Sequence, residues 1–108
     1  MAVGMTGRRI PVVLDAMTWP TEPGDYVGPV KGWTGDLPAV FFLKPNARDE
    51  GAPPSARGVQ YIVSPPHTFT EEADGTLTIG PSISDMRRDS TVSDGWHGFL
   101  EHGVWRQV

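Results

Sequence analysis

Three histidines, His67, His97 and His102, have the clearest chemical reach in this chain, because three neutral imidazoles can hold a zinc ion and leave a position open for water. Their spacing argues against that use. There is no His-Glu-x-x-His helix pattern, His67 is remote in sequence, and extended backbone sets His97 well apart from His102, so turn and strand positions account for all three. Ser82, within Gly80-Pro81-Ser82-Ile83-Ser84, superficially resembles a nucleophile elbow, yet Ser84 stands where the second glycine belongs and no helix-forming sequence follows. A strand end is expected there, with Pro81 stopping the ladder and Ser82 bonding the local backbone. An acid and base pair needs two carboxyl groups in different environments before one substrate. Glu71, Glu72, Asp74, Asp85, Asp89 and Asp94 fall instead on turns and polar faces, as do Arg87 and Arg88, and solubility explains them. Lys31-Gly32-Trp33-Thr34-Gly35 lacks the strand-loop-helix setting of a phosphate loop. The chain is read as a non-enzyme with no catalytic residue, no metal site and no cofactor.

Composition narrows the classes further. The absence of cysteine removes disulfides, thiolate zinc sites and thiol nucleophiles. A formal charge of −4 gives no basic footprint, and nucleic acid is held mainly by cations on phosphates, so no nucleic-acid partner is expected. The longest apolar run, Ala39-Val40-Phe41-Phe42-Leu43, is far short of the roughly 20 residues that cross a bilayer as a helix, so no membrane association is expected. Arg8-Arg9 before Ile10-Pro11-Val12-Val13-Leu14 faintly resembles an export signal, but Asp15 cuts the apolar segment short and no small-residue cleavage site follows. The N-terminus is therefore treated as part of the fold, and the protein as neither secreted nor membrane-bound.

The elements that position these residues follow from length and punctuation. A chain of 108 residues is one domain's worth, and 13 Gly and 11 Pro interrupt any long helix. The expected fold is all-β: a small single-domain sheet or partly open barrel spanning 1–108, built from two hairpins plus strands 39–44 and 58–63, with long Pro/Gly/Trp loops. About five to seven strands are expected. Residues 1–9 read as a loose N-terminal arm, Ile10–Leu14 as a first strand placed at an edge by Pro11, and 18–38 as ordered loop. Residues 45–57 read as a mobile loop. Residues 83–94 could be one helical turn or plain loop. In the first hairpin a three-residue turn, Ala73-Asp74-Gly75, sets Phe69 opposite Ile79 and leaves Thr70, Glu72, Thr76 and Thr78 on the wet face, with Gly75 left-handed. The second hairpin turns at His102-Gly103, with Leu100 opposite Trp105 and Phe99 opposite Arg106.

Four tryptophans, Trp19, Trp33, Trp96 and Trp105, are many for so small a chain. For any one of them core is the favoured role over partner surface, because large rings supply much of a small domain's buried area. Trp33, flanked by glycines, is the expected exception, and Trp33, Tyr26, Arg48 and Asp49 form the expected partner-binding set.

Asp74-Gly75-Thr76-Leu77-Thr78-Ile79-Gly80-Pro81-Ser82-Ile83, followed after a polar spacer by Gly95-Trp96-His97-Gly98-Phe99-Leu100-Glu101-His102-Gly103-Val104-Trp105, resembles a family of small uncharacterised proteins found in tailed phages and bacteria. Phage members of that family often carry an oxygenase label. The resemblance covers roughly the last third of the chain, through Pro81, Ser82, Ile83, His97, Gly98, Phe99 and Gly103, with Gly75 and Trp105 as structural companions. Many relatives carry a Cys-Pro-Cys-type segment and a Cys before the His, implying a small zinc site. This chain has Trp96 before His97 and no cysteine anywhere, so His97 is expected to be structural, bonding Ser82 or a backbone carbonyl. What the resemblance implies is a phage context: an accessory protein acting by protein–protein binding, a minor head or tail component whose partners are other phage structural proteins, located in the virion or the host cytoplasm. The alternatives are a cytoplasmic anti-defence or host-takeover binder, or a degenerate metal-binding domain.

Overall fold

The computed structural model describes residues 4–13, 20–32, 35–45, 59–85 and 96–107. Within them lie nine β-strands and no helix, hence no helix long and apolar enough to cross a membrane. The strands are β1 (Met5–Thr6), β2 (Arg9–Ile10), β3 (Tyr26–Val30), β4 (Ala39–Phe42), β5 (Gln60–Val63), β6 (Thr68–Glu71), β7 (Leu77–Asp85), β8 (Trp96–Glu101) and β9 (Val104–Gln107). They form a five-stranded sheet, β1-β9-β8-β7-β6, and a four-stranded sheet, β2-β3-β4-β5, which do not close into a barrel. The protein is thus an all-β domain in its open-sheet form.

Both hairpins have the anticipated registers. Phe69 pairs with Ile79 and Glu71 with Leu77, and the Gly75 amide donates to the Glu72 carbonyl across a three-residue loop. Gly75 has φ 86°, where a β-branched residue is strained. At the second turn His102 and Gly103 have φ 47° and 74°, the pair of positive values that a two-residue loop matched to strand twist requires. Leu100 then faces Trp105, and Phe99 faces Arg106.

Elsewhere the strands exceed the expectation. The arm at 1–9 is not loose over its described part: Met5 pairs with Trp105, and Arg9 with Tyr26 in a parallel ladder between β2 and β3. Ion pairs from Arg8 and Arg9 supply the anchorage that the arm's few apolar residues do not. The strand expected over Ile10–Leu14 begins one residue earlier and ends at Ile10, although β2 is an edge strand as Pro11 requires. Residues 26–30, read as loop because of Gly28 and Pro29, form β3, whose pairing to β4 shifts register between Val27 and Val30 to absorb the two breakers. β7 likewise runs through Pro81 to Asp85 behind a register shift between Ile79 and Ile83, so Pro81 does not stop the ladder. Trp19, Trp33 and residues 46–57, including the mobile loop expected there, lie outside the described residues, as do 86–94.

Directly opposed residues share a sheet face, which divides the small sheet's side chains into two apolar sets. Tyr26, Val40 and Phe42 meet Leu77, Ile79, Ile83, Trp96, Leu100 and Trp105 of the larger sheet in one buried core, with Ile62 and Phe69 at its margin. On the other face Val27, Ala39 and Phe41 are buried, flanked by Ile10, Val30, Val59 and Val63. β4 is therefore buried on both sides, which explains its unbroken apolar run. Among the described residues Trp105 is the largest fully buried side chain. Its ring lies edge-on to Tyr26 and Trp96, with centroids 6.4 and 5.4 Å away, and 5.5 Å from Phe42, while its Nε1 donates to the Gly24 carbonyl at 2.7 Å. Gly98 permits this packing, because a Cβ there would collide with the Arg106 carbonyl and the Trp96 ring.

Asp25 holds the entry to β3. It is 2% exposed and accepts from Arg8 Nε at 3.1 Å, Arg8 Nη2 at 2.7 Å and the Glu22 amide at 2.9 Å. Burial works against its charge, but the Arg8 hydrogen bonds and the Glu22 and Thr21 amides outweigh that and hold its carboxyl below the usual carboxylate range.

Two outcomes are expected. Trp105→Ala should cost about 3–5 kcal/mol in chemical denaturation, since it removes a full ring and orphans the Gly24 carbonyl; a loss under about 1 kcal/mol would show that the ring is not core. Because the folded-state pKa of Asp25 is depressed, its contribution is present above the unfolded carboxylate value and is lost as pH falls through the lower folded value. Asp25→Asn should therefore flatten the decline in stability below about pH 4, and an unchanged acid limb in pH-dependent melting would refute the assignment.

Candidate functional site

Ser82 lies in β7, and β8 runs antiparallel beside it with Ser84 opposite His97 and Ile83 opposite Gly98. That pairing brings His97 Nε2 to 3.0 Å from Ser82 Oγ. His67, in the turn joining β5 to β6, reaches the same residue from the other side, its Nε2 lying 3.3 Å from the Ser82 carbonyl oxygen. Two of the three histidines are thus brought to one serine. The third is not: His102 sits in the β8–β9 turn, its amide donating to Thr78 Oγ1 at 2.9 Å and its Nε2 lying 3.6 Å from Glu72 Oε2. Among the described residues no group of three or more histidines or carboxylates is placed to hold a metal.

A serine bonded to an imidazole is half of a nucleophilic arrangement; the other half is a group that orients the base and N–H donors that face an oxyanion. Among the described residues no carboxylate is hydrogen-bonded to His97. The contacts also join strands. His97 ties β8 diagonally to β7 across the register shift, and His67 ties the β5–β6 turn to the same strand, so both rings brace the segment that Gly80 and Pro81 loosen.

The remaining residues singled out in the sequence divide cleanly. Gly75, Gly98, Gly103, Ile83 and Trp105 are turn or core residues. Pro81 is exposed within β7, and Phe99 is exposed on the outer face of the five-stranded sheet. Of the expected partner-binding set, Trp33, Arg48 and Asp49 lie outside the described residues. Tyr26 is a correction: it is fully buried, packed on Trp105, and cannot meet a partner. Tyr26 falls in a segment expected as loop, and as the first residue of β3 its ring lies on the core face. Among the described residues its hydroxyl oxygen has no hydrogen-bond partner, and burial pushes the phenol up.

A concave site does exist, and of its lining residues the sequence singles out Gly75 alone, as a turn glycine. Arg9, Ile10, Pro11, Val12, Gly28 and Gly75 line an open cleft of about 340 Å³, within the range of small-ligand pockets, where edge strand β2 passes the first hairpin turn. Arg9 spans the two sheets at its floor. Its Nη1 donates to Glu71 Oε1 at 2.6 Å and the Gly75 carbonyl at 2.9 Å, and its Nη2 to Glu71 Oε2 at 2.6 Å and the Gly28 carbonyl at 2.8 Å. The Arg9 hydrogen bonds hold the Glu71 carboxyl below its usual range. Among the described residues the exposed large apolar side chains are Val12 and Val13 after β2, Leu37 before β4 (45% exposed), Tyr61 on β5 (52%), whose ring lies 5.4 Å from Phe41, and Met5 and Phe99 on the larger sheet. Only the Arg8-Arg9 pair and the position of Glu71 on a hairpin could have signalled the cleft, and neither says that a strand from the N-terminus passes that hairpin.

If the Ser82–His97 contact is a brace, removing either partner alone, as Ser82→Ala or His97→Ala, should cost about 1 kcal/mol, and the double mutant should fall short of the sum by a similar amount. Additive losses in a denaturant-based double-mutant cycle would show the two side chains to be uncoupled. The chain matches no protein-family model, no curated protein and no solved structure.

Proposed function

We propose that this chain is a non-catalytic binding protein, and, following the resemblance carried by Pro81-Ser82-Ile83, His97-Gly98-Phe99 and Gly103, a minor head or tail component of a tailed-phage particle that docks on other phage structural proteins. The observation that supports binding is the placing of exposed apolar side chains. Val12, Val13, Leu37 and Tyr61 stand exposed around one sheet, at both of its edges and at the approach to its central strand β4. Single exposed apolar residues are ordinary on any surface, but four of the six large ones among the described residues belong to this sheet or the segments beside it, an aromatic among them, and these offer a contact surface. The partner set moves accordingly, from Tyr26 to Tyr61.

Mass spectrometry of purified, density-banded virions of the source phage tests this reading. Detection at a fixed copy number supports it, and the variants Leu37→Lys and Tyr61→Lys should then reduce incorporation severalfold while leaving the melting temperature within a few degrees, since exposed substitutions perturb stability little. Absence from particles despite expression during infection overturns the virion reading and makes the chain a cytoplasmic binder of a host protein.

A further inference from the structure

The two open sheets present four edges, β1 and β6 on the larger and β2 and β5 on the smaller, and an edge strand offers unpaired N–H and C=O groups to any chain that can lie beside it. Three of these edges are blunted. β1 and β2 are two residues long, β2 carries Arg9 and is followed by Pro11, and β6 ends on Glu71, which Arg9 holds. β5 has none of these devices. Its four residues, Gln60-Tyr61-Ile62-Val63, include neither a charge nor a proline.

The register fixes which backbone groups of β5 lie open. Ser64 donates its amide to the Pro38 carbonyl, so Ile62, paired with Val40, also turns its N–H and C=O toward β4. Tyr61 and Val63 turn theirs the other way, and the Val63 carbonyl accordingly accepts from the His67 amide on the side away from β4. The Tyr61 N–H, the Tyr61 C=O and the Val63 N–H are thus directed outward, and among the described residues no strand lies beside them. The side chains follow the pleat: Tyr61 and Val63 stand on the outer face of the small sheet, Tyr61 opposite Phe41 and half exposed.

Charge selects the occupant. A twofold axis perpendicular to a sheet sets the residue at the axis opposite its own copy, so a charged residue there meets like charge, whereas an uncharged one meets no repulsion. Tyr61 is uncharged and directs both its donor and its acceptor outward, which makes it its own complement. We infer that β5 pairs antiparallel with the β5 of a second copy of this chain about a twofold axis at Tyr61. Each Tyr61 amide then donates to the other Tyr61 carbonyl, each Val63 amide faces the Val59 carbonyl of the other copy, and the two four-stranded sheets become one of eight. The two Tyr61 rings lie side by side on the outer face and cover one another. This goes beyond the binding reading above and stands without it.

The test is sedimentation equilibrium of the purified full chain from about 10 µM to about 1 mM in about 0.15 M salt, where repulsion between two copies of net charge −4 is largely screened. Wild type and Tyr61→Phe should pass from monomer to dimer with a dissociation constant of about 10–500 µM, since four residues a side make a small contact. Tyr61→Lys and Tyr61→Glu, each of which sets two like charges across the axis, should weaken the dimer at least about tenfold, and an equimolar mixture of the two should regain it. A wild-type chain that stays monomeric to about 1 mM, a dimer that Tyr61→Lys leaves intact, or a mixture that stays monomeric would overturn the assignment. Should the charged variants fail to fold, amide exchange of wild type decides: Tyr61 and Val63 should exchange more slowly as concentration rises, and unchanged rates in a dimerising chain would place the contact elsewhere. A dimer of a chain absent from particles would leave this pairing standing and remove only the virion reading.

Discussion

Trp105 donates its Nε1 proton to the Gly24 carbonyl across 2.7 Å while its ring presses on Tyr26, Phe42 and Trp96, so a side chain of the five-stranded sheet is hydrogen-bonded to the turn that leads into the four-stranded one. Much else follows from this placement. A small domain has little apolar area to bury, and a tryptophan ring concentrates a large share of it at one point, but the indole N–H must then find an acceptor in the dry interior. Gly24 provides one by turning its backbone toward the ring, and the same turn is held by Asp25, whose buried carboxylate is kept charged by Arg8 and by the Glu22 and Thr21 amides. The N-terminal segment is drawn in from both ends: Met5 pairs beside Trp105 on β9, and Arg9 pairs beside Tyr26 on β3.

The two arginines do different work for the same reason. Each must satisfy a fork of donors, and each finds a carboxylate in bidentate geometry. Arg8 does so at a buried Asp25, which locks a turn. Arg9 does so at the exposed Glu71 of the other sheet and adds two backbone carbonyls, which joins the sheets at their rim. The histidines show the converse. His67 and His97 converge on Ser82 in a pattern that invites a catalytic interpretation, yet their contacts brace the irregular stretch of β7 beside Gly80 and Pro81. These polar side chains thus hold the irregular strand to its neighbours.

What was legible in the sequence was local. The all-β class, both hairpins, the three-residue turn at Gly75, the two-residue turn at His102-Gly103, the buried run from Ala39 and the core role of Trp105 follow from alternation, positive-φ turn residues and ring size, all of which act over a few residues. For His97 the resemblance left two acceptors open, Ser82 or a backbone carbonyl, and the fold brings it to Ser82. Tertiary structure alone decided the rest. β3 and the far half of β7 contain Gly-Pro pairs that read as breakers, and only pairing with neighbouring strands shows that a register shift absorbs them. The arm at Met5–Ile10 has no periodicity of its own and becomes strand because distant partners, Trp105, Tyr26, Asp25 and Glu71, supply its hydrogen bonds and ion pairs. The cleft is the clearest case: Arg9 and Glu71 are separated by 62 positions, and a contact of that span carries no signal in either segment. Periodicity reports which face of an element is apolar, whereas the assembly of a site depends on which elements the packing of the core brings side by side.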